Sequence, residues 1–181
     1  HSAAGLKPRA TVGSSVFPER IETDRLAMAR LTTESVSPRT LYEVAGRPAD
    51  EAERIFRYLP WDPFATLDAA AEHTEQRERQ WNDRERATYA IRPREGEVDA
   101  GEFAGTGSLI LDWDRRVGMP GIWLRPAFWG RGYAGERARP IIDLAFETLD
   151  LECVVIPLEV DNDRSRAAVE AYVDAHGGRH E

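Results

Sequence analysis

The most informative segment of this chain is Arg125-Pro126-Ala127-Phe128-Trp129-Gly130-Arg131-Gly132-Tyr133-Ala134-Gly135. It separates a short apolar run from a segment with helical periodicity, which predicts a strand-to-helix turn. Its three glycines allow a tight turn and bring successive backbone N–H groups against a ligand without hindrance from Cβ atoms. At a helix N-terminus these N–H groups add to the positive end of the dipole, so a phosphate or pyrophosphate is the natural ligand.

Glycines in this pattern also occur in turns that are merely flexible, so the pattern alone leaves both interpretations open. Two other phosphate-binding motifs are excluded. The segment is not a Walker A loop, because no Gly-Lys-Ser/Thr follows the glycines. It is not a dinucleotide-binding fingerprint either, because the strands before it are predicted to form an antiparallel meander.

Upstream of this segment the pattern alternates between helical and extended stretches. Alternation of apolar residues predicts a strand over 23–31, and helical spacing predicts helices over 33–46, interrupted by Pro38, and over 50–58. Residues 59–64 combine two prolines with large apolar groups, which predicts a loop with an apolar surface. A long helix should begin after Thr66 as N-cap and run to about residue 83, with its charges facing solvent.

Three consecutive antiparallel strands are expected next. The runs 87–92 and 102–113 flank an acidic, glycine-bearing turn, and a second turn over 117–120 precedes the strand 121–124. Beyond the glycines the pattern predicts a helix over 132–149, a strand over 151–160 and a helix over 161–176. This order predicts an α/β domain with a mixed sheet flanked by helices.

Length and charge limit the classes of protein that this chain can represent. Its 181 residues fit one compact domain, which we place at residues 17–181, with residues 1–16 as a loose arm or a tag remnant. No apolar run approaches the roughly 20 residues of a bilayer-spanning helix, so no membrane partner is expected. The net charge of −8 argues against a nucleic-acid partner. Only Lys7 among the 24 basic residues is a lysine, which fits either adaptation to high salt or a GC-rich genome.

The cysteine and histidine content predicts neither a disulfide framework nor a metal site. Cys153 is the only cysteine in the chain, and the histidines lack the spacing of metal ligands. A reducing cytoplasm is the expected location.

The run Trp129-Gly130-Arg131-Gly132-Tyr133-Ala134-Gly135-Glu136 resembles the acetyl-CoA signature of the GNAT N-acetyltransferases. Within that family it is most similar to the branch of the ribosomal-protein-alanine acetyltransferases. Thr23-Asp24-Arg25-Leu26 is similar to the first strand of that branch, and Asn162 with Ser165 resembles the Asn-x-x-Ser that opens its last helix. The resemblance covers about residues 18–181 and implies the GNAT fold.

The resemblance implies a ternary complex in which an amine attacks acetyl-CoA directly. The pyrophosphate would lie on the backbone N–H groups of residues 131–135, and the pantetheine arm would pair with the strand at Trp123 and Leu124, where one N–H polarises the acetyl carbonyl. The implied cofactor-binding residues are Trp123, Leu124, Trp129, Gly130, Arg131, Gly132, Tyr133, Ala134, Gly135 and Asn162. Arg131 would add charge beside a phosphate or face solvent.

Proton transfer needs a base for the amine and an acid for the departing thiolate. Asp112 is the first candidate for the base, with Asp114 and Glu102 as alternatives, although an N-terminal α-amino group loses its proton easily enough to do without one. The resemblance assigns the acid to Tyr172, although ten residues separate it from Asn162 and the family usually has about seven. Ser165 would replace Tyr172 as the acid or simply cap the helix.

The acceptor is expected to be a small-molecule or peptide amine, and Trp61, Phe64, Trp81 and Tyr89 either line its pocket or belong to the core. The chain ends where the family continues into one or two further strands. We therefore expect either a truncated product or a homodimer in which another copy completes the sheet. A non-catalytic CoA-binding module is the alternative function.

Overall fold

A mixed six-stranded sheet forms the centre of the protein. The computed structural model describes residues 16–57, 59 and 62–156. The strands are β1 (Arg20–Glu22), β2 (Leu26–Arg30), β3 (Arg86–Pro93), β4 (Gly105–Asp112), β5 (Val117–Leu124) and β6 (Cys153–Val154). They lie side by side in chain order, β1 to β5 antiparallel and β6 parallel to β5. The predicted α/β class and the antiparallel meander are confirmed.

The described helices are α1 (Pro38–Ala45), α2 (Ala52–Phe56), α3 (Leu67–Asn82) and α4 (Tyr133–Asp143), after which a π turn spans Leu144–Thr148. Thr66 caps α3 as predicted, since its hydroxyl accepts the N–H of Ala69 at 3.0 Å. Pro38 does not interrupt α1. It occupies the first helical turn after the N-cap Ser37, where a missing N–H costs no helical hydrogen bond. None of the described helices is long and apolar enough to cross a bilayer.

The strand bounds differ from the sequence prediction at three places. β1 was not predicted, and it is only three residues long. The predicted turn at 117–120 is the first half of β5, whose pairing with β4 runs from Asp112↔Val117 to Gly105↔Leu124. Of the strand predicted over 151–160, the described part pairs at Cys153–Val154, and residues 157–160 lie outside the described residues. The helix predicted over 161–176 lies outside the described residues, as do residues 1–15 and Trp61.

Helices cover both faces of the sheet. One face packs on α4, where Ile91 and Leu109 of the sheet share a cluster with Ile141. The other face packs on α1, α2 and the start of α3, in a cluster that includes Phe64 and Trp123. Trp81 and Tyr89 are only 3% and 0% exposed, so they belong to the core rather than to a pocket wall.

Candidate functional site

The glycine loop, residues 129–135, leads into the first turn of α4. Gly130 and Gly132 adopt φ values of 78° and 80°, in the left-handed region that favours glycine, and Gly132 is the N-cap of α4. A Cβ added at Gly130 or Gly135 would meet no atom of the described residues within 4 Å, so these residues leave space open beside the loop. The N–H groups of residues 131–135 donate to no acceptor among the described residues. This geometry fits an anion such as a pyrophosphate.

Glu136, in the first turn of α4, anchors the loop to the start of β2. Its carboxylate accepts hydrogen bonds from the Thr23 hydroxyl at 2.5 Å, from the Arg25 backbone N–H at 2.9 Å and from Arg25 Nε at 2.6 Å. Arg25 Nη1 also donates to the carbonyl of Arg131 at 2.8 Å. Burial raises the pKa of Glu136, but these hydrogen bonds outweigh burial and leave its pKa below the ordinary value. The Thr23-Asp24-Arg25-Leu26 motif therefore holds the glycine loop in place.

Arg131 fastens the loop on its other side. Its guanidinium donates to Asp99 at 3.0 Å and to the carbonyls of Val98 and Ala127, each at 3.1 Å. The side chain thus binds the connection between β3 and β4 rather than extending freely into solvent. The backbone N–H of Arg131, and not its charge, is the group that this structure leaves available to a ligand.

The aromatic residues of the loop also have structural partners. Trp129 Nε1 donates to the carbonyl of Leu124 at 2.9 Å, which ties the loop to the end of β5. The hydroxyl of Tyr133 donates to Glu97 at 2.8 Å, and the side chain is 2% exposed. Both side chains position the loop backbone.

The edge of β5 that faces away from β4 has no strand partner between residues 120 and 124 among the described residues, and this open edge runs toward the glycine loop. The Arg125 N–H donates to the Ala104 carbonyl at 2.8 Å. In an antiparallel pair every second residue bonds to the neighbouring strand, so this bond shows which residues of β5 direct their backbone groups toward β4. By this alternation the backbone of Trp123 faces β4, whereas Ile122 and Leu124 present theirs to the opposite side. The sequence prediction placed Trp123 and Leu124 together at this edge and missed Ile122. Only the register distinguishes them.

Pro120 interrupts the hydrogen-bond ladder between β5 and β6. The last described pair is Gly118↔Val154, followed by a hydrogen bond from Val155 N–H to the Gly118 carbonyl. The next ladder bond would need an N–H at position 120, and proline has none. Among the described residues the pairing of β6 with β5 therefore ends at Gly118, and the edge of β5 beyond it borders the side on which the resemblance implies the cofactor cleft.

The candidate base Asp112 lies at the far end of β5 from the glycine loop. It pairs with Val117, seven residues before Leu124, which corresponds to about 23 Å along the strand. Its carboxylate is 47% exposed and accepts the N–H of Arg115 at 3.1 Å. Asp114 and Glu102 are also exposed, in the turn after β4 and in the connection before it. The base assignment to Asp112 finds no support in this geometry, because a base must reach the reacting amine.

Asn162, Ser165 and Tyr172 lie outside the described residues. Among the described residues, no cluster of three or more His, Cys, Asp or Glu side chains is arranged to hold a metal ion.

A sequence model of the acetyltransferase (GNAT) domain matches residues 25–172, which include the glycine loop, β5 and Arg25, whose side chain binds Glu136. This chain belongs to the GNAT acetyltransferase family. The predicted fold and the prediction of an acetyltransferase enzyme are confirmed, whereas the particular branch is not determined. No curated protein is significantly similar to this GNAT chain in sequence.

Solved structures share the fold of this GNAT domain at low identity. The Microcin C7 self-immunity acetyltransferase MccE, in complex with acetyl-CoA and AMP, is 19% identical, with 87% of this chain and 83% of that chain covered and a TM-score of 0.72. RimL, the ribosomal L7/L12 alpha-N-protein acetyltransferase in complex with CoA, is 18% identical, with 85% and 82% covered and a TM-score of 0.71. Spermidine N-acetyltransferase from Vibrio cholerae, in complex with CoA and spermine, is 17% identical, with 83% and 80% covered and a TM-score of 0.66.

Proposed function

We propose that this protein transfers the acetyl group of acetyl-CoA to a primary amine, by direct attack of the amine on the thioester in a ternary complex. The observation that carries the proposal is the glycine loop, whose N–H groups at 131–135 have no acceptor among the described residues and lie beside open space. An anion of the size of a pyrophosphate would satisfy these donors together. MccE and RimL, which share the fold, were crystallised with acetyl-CoA and CoA.

The open edge of β5 supplies the second part of the proposed site. The backbone groups of Ile122 and Leu124 on this side would pair with the amides of a pantetheine arm. The Leu124 carbonyl is already engaged by Trp129, so its N–H is the free group at the end of the strand. That N–H would pair with the pantetheine arm, and we assign the N–H of Ile122, two residues farther from the glycine loop, to polarising the acetyl carbonyl, because a fixed backbone dipole stabilises the developing oxyanion without a side chain. Asn162 remains a proposed contact to the cofactor.

The amine must be neutral when it attacks, and an α-amino group with a pKa near 8 meets this condition far more readily than a lysine near 10.4. The proposal therefore includes protein N-termini and small amines as acceptors, the two classes represented by RimL and the spermidine enzyme. Tyr172 is the proposed acid for the departing thiolate, with Ser165 as the alternative.

Substituting Gly135 tests the anion site without straining the backbone. The position is helical, and an added Cβ meets nothing within 4 Å, so both Ala and Asp fit there. Gly135→Asp places a carboxylate among the donors and should weaken acetyl-CoA binding by more than tenfold, because like charges repel strongly at a shared site. Gly135→Ala is the matched control and should bind within about threefold of the wild type. Titration calorimetry with acetyl-CoA measures both.

Equal affinity of the Asp and Ala variants for acetyl-CoA would remove the pyrophosphate from this loop. Release of CoA in the presence of an amine, followed with a thiol reagent, then tests the transfer itself. Binding without release of CoA over a broad panel of amines would contradict the proposed reaction.

A further inference from the structure

A group of polar side chains lies on the face of the sheet opposite α4, beneath α3. The register places Thr88 of β3 directly across from Ser108 of β4, and it places Arg86 two residues from Thr88 on the same face. Trp123 of β5 also lies on this face, since it pairs with Thr106, two residues from Ser108. The four residues span β3 to β5 and end at the strand that borders the cleft.

Three nitrogen or oxygen atoms of this group have no hydrogen-bond partner in the part of the chain that the structure describes. Arg86 Nη2 donates to the Ser108 hydroxyl at 3.1 Å, but Arg86 Nε is buried without an acceptor. The Thr88 hydroxyl and Trp123 Nε1 are also buried and unpartnered, on side chains that are 3% and 7% exposed. Each of these atoms carries a hydrogen that it can donate, and a buried unmade bond costs free energy. The group therefore lacks an acceptor.

Helix α3 adds a second cation to this group. Arg77 and His73 lie one turn apart on the helix, and Arg77 donates to Gln80 at 2.8 Å. Among the described residues, neither Arg77 nor Arg86 has a carboxylate within 4.0 Å, whereas Arg25, Arg116, Arg125 and Arg131 all do. The arginine pair is thus partly buried without a compensating negative charge.

The titration of these groups agrees with an excess of positive charge. Burial, with a smaller contribution from the nearby charge of Arg77, lowers the pKa of Arg86 to about 10. Burial lowers the pKa of His73 to about 3, with Arg77 and Arg86 contributing, so this imidazole is neutral at physiological pH. Both arginines remain charged there.

We propose that Arg86 and Arg77 bind a carboxylate or phosphate group carried by the acceptor amine. This inference rests on the proposed acetyl transfer, because it places the acceptor between the sheet and α3. A guanidinium matches both anions in geometry and pairs with them through two parallel hydrogen bonds. An anion here would accept a hydrogen bond from Arg86 Nε and offset the positive charge of Arg77 and Arg86. A polyamine would instead add positive charge to a site whose positive charge is already uncompensated.

The register also sets the approximate length of the acceptor. Arg86 on β3 pairs with Ile110 on β4, which pairs with Met119 on β5. Met119 is three residues before Ile122, so Arg86 and Ile122 are separated by two strand spacings across the sheet and three residues along the strand. This separation corresponds to about 14 Å between Cα atoms, part of which the arginine side chain spans. Acceptors whose anion stands several bonds from the amine fit this spacing.

Matched amines measure the preference directly. Glutamate with glutamine, and phosphoserine with serine, differ mainly in the distal anion, and they separate a carboxylate from a phosphate as its source. The wild type should prefer the anionic member of at least one pair by roughly tenfold or more in kcat/KM. Arg86→Met, and independently Arg77→Met, should reduce this preference to about twofold or less. Arg39→Met is the control, because Arg39 is an exposed residue of α1, and it should leave the preference unchanged.

Thermal unfolding separates this role from a structural one. Arg86→Met removes a partly buried charge that has no negative partner, so its Tm should equal or exceed that of the wild type. With CoA saturating the glycine loop, inorganic phosphate should raise the Tm of the wild type more than that of Arg86→Met. A lower Tm for Arg86→Met with an unchanged acceptor preference would overturn the proposal and make Arg86 a structural residue.

The two proposals fail in distinguishable ways. If the wild type binds acetyl-CoA and acetylates neutral or cationic amines as well as anionic ones, the anion site is refuted and the acetyl transfer stands. If acetyl-CoA does not bind, both proposals are refuted together.

Discussion

At the scale of single residues, Glu136 connects the first turn of α4 to Thr23, which lies 113 positions earlier in the chain. Its carboxylate accepts three hydrogen bonds from Thr23 and Arg25, two of them from backbone or guanidinium N–H groups. Because these bonds form only in the folded protein, they stabilise it and hold the first turn of α4, where the free N–H groups lie, against β2. The hydrogen bonds of Glu136 with Thr23 and Arg25 and the proposed phosphate site therefore belong to one structural unit.

Glu136→Gln should reduce the free energy of unfolding by about 1–2 kcal/mol, because it removes the charge from these hydrogen bonds while keeping the size of the side chain. The loss is smaller than for a fully buried ion pair, because the Arg25 side chain is 38% exposed and solvent screens its attraction to Glu136. Urea denaturation at pH 7 measures it. Glu43→Gln, in a fully exposed pair with Arg39, is the control and should change stability by less than about 0.5 kcal/mol.

The same carboxylate predicts a pH dependence. The pKa of Glu136 is lowered from 4.5 in the folded protein, so the folded state favours the ionised form. Its contribution is complete above pH 4.5 and is lost as the pH falls through the lower, folded-state pKa. The stability difference between wild type and Glu136→Gln should therefore shrink as the pH is lowered below about 4.5. A difference that is constant from pH 7 to pH 3 would show that the charge contributes nothing.

At the scale of elements, β4 and β5 border the proposed cofactor cleft, and Gly105 determines how closely the two strands approach each other. Gly105 begins β4 with φ at 149°, and a Cβ there would lie 2.1 Å from the carbonyl oxygen of Trp123. The clashing atom is backbone, so it cannot turn aside as a side chain would. The end of the β4–β5 pair that borders the glycine loop thus depends on a residue without a Cβ.

Gly105→Ala should cost more than about 2 kcal/mol of stability and weaken acetyl-CoA binding, because β5 must shift to admit the methyl group. Gly96→Ala is the matched control: Gly96 also has a positive φ, 98°, but its Cβ would meet nothing within 4 Å. We expect about 1 kcal/mol for that variant. Chemical denaturation of both proteins checks the difference, and equal costs would show that the close approach to Trp123 is unimportant.

At the scale of the whole molecule, aromatic contacts bind the first described residues to the sheet and to α3. Phe17 is 1% exposed and packs edge-on against Trp81 at 5.2 Å, and Trp81 packs in the same way against Tyr89 at 5.3 Å. The Tyr89 hydroxyl donates to the carbonyl of Pro18 at 2.7 Å. These contacts place β1 at the edge of the sheet, although β1 itself is short and exposed.

Phe17→Ala should reduce the free energy of unfolding by about 3–4 kcal/mol, as expected for a buried aromatic residue whose cavity cannot collapse. Guanidinium denaturation measures the loss. Val98→Ala, at a position that is 72% exposed, is the control and should be nearly neutral. A loss below about 1 kcal/mol for Phe17→Ala would indicate that the segment around β1 contributes little to the stability of the domain.

Local features of this protein follow from the sequence. The glycines at 130 and 132, the N-cap Thr66 and the alternating apolar residues of β2 each depend on the conformational preferences of neighbouring residues. The element order and the glycine loop could therefore be predicted. The sequence prediction was wrong at Pro38, which begins α1 instead of interrupting it, and at residues 117–120, which belong to β5 instead of a turn. Proline and glycine favour a turn unless the surrounding packing provides a helix start or a neighbouring strand.

The contacts that shape the candidate site depended on the tertiary structure. The sequence could not show that the backbone of Ile122, rather than that of Trp123, faces away from β4, because a shift of one residue in register would exchange them. Nor could it show that Arg77 and Arg86 lie near enough for their charges to interact, with no described carboxylate within 4.0 Å of either, or that Thr23 and Arg25 bind Glu136. The chain by itself determined the turn at the glycine loop and the N–H groups that this turn leaves free, since these are local properties. Which side chains stand together was decided only when the sheet aligned and the helices packed on it, since such contacts depend on distances between residues far apart in sequence.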